Sequence, residues 1–449
     1  TEILLEGLAA DGGLYVPEAY PRADLKAWRA LSYRDLAFAI LSRFMDDVPD
    51  LRRLVDRSYT KAAFGSDDIT PLTTLEPGLH ILGLSNGPTL AFKDVAMRML
   101  AELYGWALEG ATRGKTIIGA TSGDTGGAAV AAFADKPGVE VFMLHPGGRI
   151  SEVQRRFMTT ATAANIHNIA VEGTFDDCQR IVKALFADEE LSRALDLGGV
   201  NSINWVRLAV QSTYFLTAAA RRPAAHFVVP TGNFGDIFAG FAAKKSGAGL
   251  GVLAAATNRN DIVRRAILTG VYAPDEVSAT TSPSMDIQVA SNFERLLYEA
   301  SGRDAEAVAG LMQDFARDGR FTIPPAWRAA IAADFAAARA DEPEVAAMTA
   351  RVHREHAMLI DPHTAVGLVA AEKLRREGRL AGHVVALATA HPAKFPEAVE
   401  AAAGVHPALP PRLAAMMGAP ERCEAAPARV AEIRALIETK SSFAGRITR

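Results

Sequence analysis

The sequence predicts an α/β protein in which parallel sheets are covered by helices on both faces, with a helical region in front of them. From about residue 75 onward, short β-branched runs alternate with helical segments, which is typical of parallel sheets joined by crossover helices. The chain has 449 residues, more than the roughly 250 to 300 at which one hydrophobic core stops growing, so two or three domains are expected. The first 75 residues carry a helical apolar pattern instead.

The predicted elements follow one another in a regular order. In the N-terminal region the clearest is a helix over residues 27–45, and loops containing DGG and GSDD interrupt this part of the chain. Residues 261–380 are alanine-rich and predict a packed helical layer, because apolar residues recur there at helical spacing with charges between them. The predicted strands are LHILGLS (79–85), KTIIGAT (115–121), VEVFMLHP (139–146), NIHNIAVEG (165–173), AHFVVPTG (225–232), GVLAAATN (251–258) and HVVALATAHP (383–392).

Composition argues against several functional classes. The 48 basic and 52 acidic residues are spread along the chain and give a net charge of -4, so no nucleic-acid partner is expected. Cys178 and Cys423 form no CxxC pair, which argues against a disulfide framework or a metal site and favours the cytoplasm. The N-terminal segment TEILLEGLAADGG lacks the pattern of a signal peptide, and no window approaches 18 uninterrupted apolar residues, so no membrane span is expected.

Four junctions between a strand and the following helix are chemically unusual, and such junctions are where ligands bind in open α/β sheets. The first is GPTLAFKD, which places Lys93 at the beginning of a helix among apolar neighbours. A lysine in a first helical turn is most often a surface residue. Here the helix dipole opposes the positive charge, and desolvation would lower the pKa of the amine. A neutral amine in an apolar cleft can form a Schiff base with a carbonyl compound.

The second junction, GATSGDTGG, begins at Gly119 and opens a helix with small residues whose amides and hydroxyls could converge on an anion. A simple helix cap is the alternative. Its glycine spacing is not that of GxGxxG, so it is no dinucleotide fingerprint. The nearby GATRGKT (110–116) is one residue short of an ATPase phosphate loop and precedes a strand instead of following one.

The third junction is PTGNFGD, in which two glycines and an asparagine allow positive φ angles. Its amides could bind a phosphate without any cationic side chain, and a tight turn is the alternative. The fourth junction, TAHPAKF, brings Thr389, His391 and Lys394 to the end of a strand. Threonine there is an ordinary neutral hydrogen-bonding partner. His391 precedes a proline and could have no role beyond shaping the turn.

Together the four junctions describe one site. It contains a lysine able to form a Schiff base, a phosphate loop without basic residues, a second anion-binding loop and a neutral hydroxyl. Pyridoxal 5'-phosphate requires an amine for its aldehyde, a pocket for its phosphate and a partner for its ring nitrogen. The sequence therefore predicts a pyridoxal phosphate site, with no metal.

GPTLAFKD, SGDTG, NSINWVR, PTGNFGD and TAHPAKF, in this order, resemble the threonine synthase family, which has the fold of the tryptophan synthase β-subunit. The resemblance extends from LLEGLAADGGLYVPE to HPAKFPEAV and is strongest to the bacterial and fungal branch. It implies two parallel-sheet lobes with helices on both faces and a helical N-terminal region. The expected boundaries are an N-terminal domain over 1–75, a large cofactor-binding lobe over 76–110 and 222–449, and a smaller substrate-binding lobe over 111–221.

The resemblance also implies roles for individual residues. Lys93 would hold the cofactor aldehyde, and Thr389 would face the pyridine nitrogen and leave it largely unprotonated. Asp124 is expected among the cofactor-binding residues. Many enzymes of this fold have asparagine at its position, where it contacts the 3'-oxygen of the cofactor, so the aspartate leaves that particular role open, although aspartate is what the threonine synthase branch resembles. The cofactor phosphate loop would comprise Gly232, Asn233, Phe234, Gly235 and Asp236.

The substrate that the resemblance implies is O-phospho-L-homoserine, which a phosphate-acting carbon–oxygen lyase converts with water to L-threonine and inorganic phosphate in the last step of threonine biosynthesis. This substrate needs two anion pockets. The α-carboxylate would bind to Ser122, Gly123 and Thr125. The substrate phosphate would bind to Asn201, Ser202 and Arg207, with Lys394 as a weaker candidate. Without the resemblance, Arg207 would be read as a surface arginine.

Three alternatives stay open at the level of sequence. The chain could be a dehydratase of threonine or serine, although NSINWVR disfavours this because a dehydratase needs no second phosphate site. It could be a phospholyase that forms 2-oxobutyrate from the same substrate. It could also be a noncatalytic binding protein, against which Lys93 argues. A monomer or a homodimer is expected.

Overall fold

The computed structural model describes residues 1–9, 11–148, 150–200 and 202–443. The N-terminal region consists of short helices, as predicted, but the helix expected over residues 27–45 is split. Ser32 begins a new helix there, because its hydroxyl accepts a hydrogen bond from the Asp35 amide at 3.2 Å. The helices of this region are α1 (Glu2–Glu6), α2 (Leu25–Trp28), α3 (Tyr33–Leu41), α4 (Leu51–Ser58) and α5 (Lys61–Phe64).

Strands and helices then alternate up to residue 198. The four strands predicted in this part of the chain are all present, and the structure adds a strand before them and a short one after them. The elements are β1 (Leu72–Glu76), β2 (Leu79–Gly83), α6 (Lys93–Ala107), β3 (Lys115–Ala120), α7 (Asp124–Phe133), β4 (Val139–Pro146), α8 (Glu152–Thr159), β5 (Ile166–Glu172), α9 (Phe175–Ala187), α10 (Glu189–Leu195) and β6 (Leu197–Gly198).

The second half of the chain is richer in helix. Its elements are α11 (Trp205–Arg221), β7 (His226–Pro230), α12 (Gly235–Lys245), β8 (Leu253–Thr257), α13 (Ile262–Thr269), β9 (Val271–Tyr272), α14 (Phe293–Ala300), α15 (Ala305–Asp318), β10 (Phe321–Thr322), α16 (Pro325–Asp334), β11 (Phe335–Arg339), α17 (Glu342–His356), α18 (Pro362–Arg376), β12 (Val384–Ala388), α19 (Pro396–Ala403), β13 (Glu424–Pro427) and α20 (Val430–Lys440). The strand β11 lies inside the stretch predicted to be helical.

Two larger sheets organise these elements. The six-stranded sheet has the order β1-β2-β12-β7-β8-β11, and all of its neighbours are parallel except β1 and β2. The five-stranded sheet has the order β13-β5-β4-β3-β6 and is parallel throughout. A short antiparallel pair, β9 and β10, lies apart from them. The predicted fold class is therefore confirmed.

The two sheets share one hydrophobic core. Val141 of β4 and Val229 of β7 belong to the same buried cluster, and Leu36 and Ile40 of α3 pack into it as well. The other face of each sheet has a cluster of its own, beneath α18 for the larger sheet and beneath α9 and α20 for the smaller one. Both faces of both sheets are thus covered, which explains why strands such as β4 are buried at every position.

The predicted domain boundaries remain a prediction, to which the topology adds one observation. The strand β13 lies within the range predicted for the large lobe, but it pairs with β5 in the smaller sheet. Among the described residues, none of the helices combines the length and the apolar character that crossing a bilayer requires.

Candidate functional site

A cleft lies where β2, β7 and β12 end and the next helices begin. Residues from six separate segments line it, and this places Lys93, Asp124 and Thr389 around one space. The lining residues are Phe92, Lys93, Asp124, Pro230, Thr231, Gly232, Asn233, Phe234, Gly235, Asp236, Ile237, Ser284, Met285, His363, Thr389 and Ala390.

Lys93 is the first residue of α6 and is only 9% exposed. The preceding backbone is held in place, because the Phe92 amide donates to the Thr389 carbonyl at 2.8 Å. Asp94 fixes the loop before it by accepting hydrogen bonds from the amide and the hydroxyl of Thr89. Gly87 is required there, since a Cβ on it would lie 2.4 Å from the Cβ of Asp94.

Burial lowers the pKa of the Lys93 amine, since desolvation penalises the charged form. Asp124 opposes this effect, while the positive charges of Lys394 and Arg207 add to it. The nearest carboxylate oxygen, Asp124 Oδ2, lies 3.4 Å from Lys93 Nζ. The alternative of a surface lysine is therefore excluded, and the amine is placed to react with a carbonyl compound.

Asp124, at the beginning of α7, is the most heavily bonded side chain in the cleft. Lys394 Nζ lies 2.5 Å from its Oδ1, and Gln154 donates to the same oxygen at 3.1 Å. Ser284 donates to Oδ2 at 2.9 Å. Burial by itself would raise the pKa of this carboxyl, but Lys394 and Lys93 outweigh burial and hold the pKa well below its ordinary value. Asp124 is therefore an ionised acid.

The loop between β7 and α12 has the backbone of an anion-binding turn. Phe234 precedes α12 with a φ of 68°, and its ring is buried against Phe293 and Phe335. The first amides of α12 have no carbonyl one turn earlier to bind. Such amides at a helix start, beside a left-handed residue, attract an anion.

Close packing around the two glycines shapes this loop. A Cβ on Gly232 would lie 3.0 Å from the Ser284 carbonyl oxygen, and one on Gly235 would lie 3.2 Å from side-chain atoms of Asn233 and Asn292. Asn233 accepts a hydrogen bond from the Gly235 amide at 3.0 Å and donates to the Ser202 hydroxyl at 2.7 Å. The loop is thereby held in a single shape.

Asp236 is a second buried acid in the cleft, and its surroundings differ from those of Asp124. Tyr214 donates its hydroxyl hydrogen to Oδ1, whereas Oδ2 has no partner among the described residues. Burial raises the pKa of Asp236 to about 7, and Tyr214 and Lys93 only partly offset this effect. A carboxyl of this kind carries a proton over part of the neutral range.

These residues fit pyridoxal 5'-phosphate. Lys93 provides the amine for the aldehyde, and the loop at 231–237 provides amides for the phosphate without any lysine or arginine. The unpartnered Oδ2 of Asp236 could donate a hydrogen bond to a phosphate oxygen when this carboxyl is protonated, and burial raises its pKa to about 7. Thr389, at the end of β12, adds a neutral hydroxyl-bearing side chain to the same cleft.

The residues predicted to bind the substrate carboxylate lie around Asp124, at the beginning of α7. Gly123 has a φ of 132°, and a Cβ on it would lie 2.8 Å from the Gln154 side chain. The Gly123 amide donates to the Thr121 hydroxyl at 3.0 Å. Ser122 and Thr125 are half-buried at the same junction. Of this loop, Asp124 lines the cleft itself.

The residues predicted to bind the substrate phosphate have protein partners. Ser202 accepts hydrogen bonds from the side chains of Asn233 and Asn292, so it supports the cofactor loop. Arg207 is 2% exposed and donates to the Val200 carbonyl at 2.8 Å, so it is no surface arginine. Burial lowers its pKa to about 10. Asn201 lies outside the described residues.

Sequence reasoning missed three side chains of the cleft region and gave Lys394 another role. Gln154 and Ser284 bind Asp124, and so does Lys394, which the sequence suggested only as a weaker candidate for the substrate phosphate. His363 lines the cleft, with Nδ1 2.8 Å from Asp361 Oδ2, and its Nε2 accepts from the Ser284 amide at 3.3 Å.

One sequence signal could have indicated His363. The tripeptide Asp361-Pro362-His363 is a helix start, with the aspartate as cap and proline in the first turn, and it places the histidine at a junction. Gln154 and Ser284 have no comparable signal.

Three family models match this chain. The one described as threonine synthase N terminus covers residues 1–59, the one described as pyridoxal-phosphate dependent enzyme covers 69–340, and the one described as threonine synthase, C-terminal, covers 364–437. Threonine synthase from Pseudomonas aeruginosa is 44% identical over 97% of this chain and 94% of its own length.

Solved structures agree with these matches. A crystal structure of pyridoxal-phosphate-bound threonine synthase from Brucella melitensis is 45% identical, with a TM-score of 0.94, and the match covers 98% of this chain and 96% of that one. The structure of threonine synthase from yeast is 38% identical, with a TM-score of 0.92, over 98% and 95% of the two chains.

Proposed function

The chain belongs to the threonine synthase family of pyridoxal-phosphate-dependent enzymes, and from this premise we propose that it converts O-phospho-L-homoserine and water to L-threonine and inorganic phosphate. The observation that carries the proposal is the desolvated amine of Lys93, which shares one cleft with the amide loop at 231–237 and with Thr389.

Pyridoxal phosphate, when bound, supplies an aldehyde for the substrate amine and a conjugated ring that delocalises the electrons released when the α-proton leaves. Lys93 would hold the aldehyde. The amides of the loop from Gly232 to Asp236 would bind the phosphate, and the hydroxyl of Thr389 would serve as the neutral partner of the ring nitrogen. Asp124 is ionised and bound to two lysines, so it would contribute negative charge on the other side of the cleft.

Lys93 would also move protons. When its amine is not bonded to the aldehyde, Lys93 would be able to remove the α-proton of the substrate and later return it, because its lowered pKa increases the fraction of neutral amine. Its position at the first residue of a packed helix holds Nζ in place for both transfers.

Two groups of residues would bind the charged ends of the substrate. Ser122, Gly123 and Thr125 would bind the α-carboxylate at the beginning of α7. Ser202 and Arg207, together with Asn201, would bind the substrate phosphate. Arg207 Nε has no partner in the part of the chain that the structure describes, which leaves a donor for an anion.

The overall reaction moves bonds at two carbon atoms. The bond between the γ-carbon and its oxygen breaks, and phosphate leaves with that oxygen and the bonding electrons. The γ-carbon gains a proton. The β-carbon loses a proton and gains the hydroxyl of water. Of the two protons released from the β-carbon and from water, one goes to the γ-carbon and the other to the departing phosphate, so atoms and charges balance.

Product analysis tests the proposal. Purified protein with pyridoxal phosphate and O-phospho-L-homoserine should release threonine and phosphate in equal amounts. Formation of 2-oxobutyrate and phosphate would indicate the phospholyase instead. 2-Oxobutyrate from threonine, with the phosphorylated substrate left intact, would indicate a dehydratase, and no product at all would favour a binding protein.

Replacement of Lys93 tests the role of its amine. Lys93→Ala should abolish the visible absorbance of the bound cofactor and lower turnover about 1,000-fold or more, because aldehyde anchoring and proton transfer are both lost. Lys26→Ala, which removes an exposed lysine of α2, serves as the control and should keep both. Full absorbance in Lys93→Ala, or borohydride fixation of the cofactor elsewhere, would contradict the assignment.

We further propose a cytoplasmic monomer or homodimer that does not bind nucleic acid. Cys178 and Cys423 are free, which suits a reducing compartment. Light scattering of the purified protein would give the oligomeric state.

A further inference from the structure

Two lysines share one carboxylate in the cleft. Lys394 Nζ lies 2.5 Å from Asp124 Oδ1, whereas Lys93 Nζ lies 3.4 Å from Asp124 Oδ2. The two amines approach from different elements, Lys93 from α6 and Lys394 from the turn that follows β12. Asp124 therefore has a close ion pair with one lysine and a longer contact with the other.

The side chain of Lys394 is buried and is held by several contacts. It is 1% exposed, and its ammonium donates to the Thr89 carbonyl at 2.8 Å and lies 5.4 Å from the centre of the Phe157 ring. Thr89 is itself bound to Asp94 through its amide and its hydroxyl. A carbonyl, a carboxylate and an aromatic face are all favourable partners for an ammonium group.

Other donors already occupy most of the hydrogen-bond acceptor positions on the two carboxylate oxygens of Asp124, which leaves few for Lys93. Gln154 donates to Oδ1 at 3.1 Å, beside Lys394. Ser284 donates to Oδ2 at 2.9 Å, on the oxygen that Lys93 approaches.

Asp94 on α6 is a further buried acid that interacts with Lys394, but burial raises its pKa and so disfavours its charged form. If both lysines were charged, two buried cations would therefore share chiefly the carboxylate of Asp124, and the uncompensated charge would be costly in this environment.

We propose that Lys394 is a positioning residue that occupies Asp124 and thereby leaves the amine of Lys93 uncharged and ready for the cofactor aldehyde. This inference rests on the proposed function only in taking Lys93 as the lysine that reacts with the aldehyde.

Other charged groups around Lys93 agree with this assignment. Arg207 on α11 adds a further positive charge that disfavours a charged Lys93. Asp236 on α12 is the second acid of the cleft, but its raised pKa leaves it partly protonated near pH 7. His363 on α18 is directed to Asp361 and to the Ser284 amide. Lys394 is thus the cation that Asp124 neutralises.

The test measures the reactivity of Lys93 itself as a function of pH. The full chain is freed of cofactor by dialysis against an amine that traps aldehydes, and recovery of full absorbance on adding cofactor back shows that it is still folded. Formaldehyde with cyanoborohydride then methylates neutral amines, and mass spectrometry follows the rate at Lys93, with exposed Lys26 as the internal reference.

The variants have opposite expected effects. Lys394→Met should let Lys93 move onto Asp124 and become charged. The pH at which labelling of Lys93 is half-maximal, its labelling midpoint, should then rise by about one pH unit. Below that midpoint, labelling should be roughly tenfold slower than in the wild type. Asp124→Asn should lower the midpoint, because two cations then lose their carboxylate. Lys394→Arg keeps the charge and should leave the midpoint near that of the wild type.

A midpoint that is unchanged or lower in Lys394→Met would overturn the inference. If that variant does not fold, Lys394→Gln takes its place, because it removes the charge but keeps a polar side chain beside Asp124, and its midpoint should rise as well. A fall or no change in Lys394→Gln would overturn the inference equally. Labelling needs neither substrate nor turnover, so product analysis reports separately on the proposed function.

Discussion

Two buried carboxyl groups line the same cleft and differ in charge because their neighbours differ. Asp124 has Lys394 and Lys93 beside it, and its pKa lies well below the ordinary value. Asp236 has only the hydroxyl of Tyr214, and burial raises its pKa to about 7. Environments that give two neighbouring acids very different pKa values commonly give them separate roles in an active site. Here one acid pairs with lysines, and the other lies in the loop assigned to phosphate.

The protonation of Asp236 predicts a pH-dependent stability. Its pKa is raised from 3.8 to about 7 in the folded chain, so the folded state binds more protons than the unfolded state between these values. Stability should therefore fall as pH rises through that window, by up to roughly 4 kcal/mol. Asp236→Asn removes this group, and the free energy of unfolding of the variant relative to wild type should rise from pH 4 to pH 8 in urea titrations without cofactor.

Tyr214→Phe gives a matched comparison for that prediction. The tyrosine hydroxyl stabilises the ionised form of Asp236, so its removal should extend the stability loss to higher pH. Parallel stability curves for wild type and Asp236→Asn would show that Asp236 has an ordinary pKa.

Among the helices, α6, α7, α12 and α18 all begin at the cleft, and small residues build the turns before α7 and α12. The turn before α7 depends on Thr121, whose hydroxyl accepts hydrogen bonds from the amides of Gly123 and Gly126 at 3.0 and 2.9 Å. The packing leaves no room for side chains on those glycines. The shape of this helix start therefore depends on Thr121 and two glycines, none of which carries an ionisable side chain.

Gly126→Ala should destabilise this helix start. The new Cβ would lie 2.4 Å from Thr121 Cγ2 and 2.7 Å from Met158 Sδ. If Thr121 moves away, the two hydrogen bonds that its hydroxyl accepts from backbone amides become weaker. We expect a loss of about 1 to 3 kcal/mol in the free energy of unfolding, measured by urea titration.

Gly310→Ala is the control for that substitution. Gly310 also lies inside a helix, α15, but its Cβ would meet no atom within 4 Å. Alanine should stabilise the chain there by about 0.5 to 1 kcal/mol. Equal effects of the two substitutions would mean that the close packing around Gly126 relaxes without cost.

At the scale of the whole molecule, the chain returns to the smaller sheet at its C-terminal end. β13 pairs with β5 at the edge of that sheet, and α20 packs onto the cluster that covers its outer face. Ile433 and Ile437 are fully buried in this cluster. The two ends of the described chain therefore complete two different cores, because the N-terminal helices pack into the shared one.

Ile433→Ala should lower stability by about 2 to 4 kcal/mol, since it leaves a cavity in the core beneath the smaller sheet. Leu436→Ala on the same helix removes a side chain that is only partly buried and should cost less. Urea titration of the two variants measures the difference. A similar cost for both would show that α20 contributes little to that core.

Some elements escaped sequence prediction for physical reasons. The strand β11 has the sequence FAAAR, which contains no β-branched residue, and its pairing with β8 makes it a strand. β13 is a four-residue strand, EAAP, that is defined by its place beside β5. Propensity is a weak guide for such short segments, because packing decides their conformation.

Local patterns in the sequence were enough to predict the fold class, the strands that carry β-branched runs and the junctions at which Lys93, the glycine loops and Thr389 lie. These are local features, since apolar periodicity and glycine spacing act over a few residues. The groups that surround Asp124 could be identified only in the folded chain, because Gln154, Ser284 and Lys394 come from distant segments with no shared spacing. Charge states in the cleft depend on burial and on partners far away in the chain, so they follow from the folded arrangement and not from any local pattern.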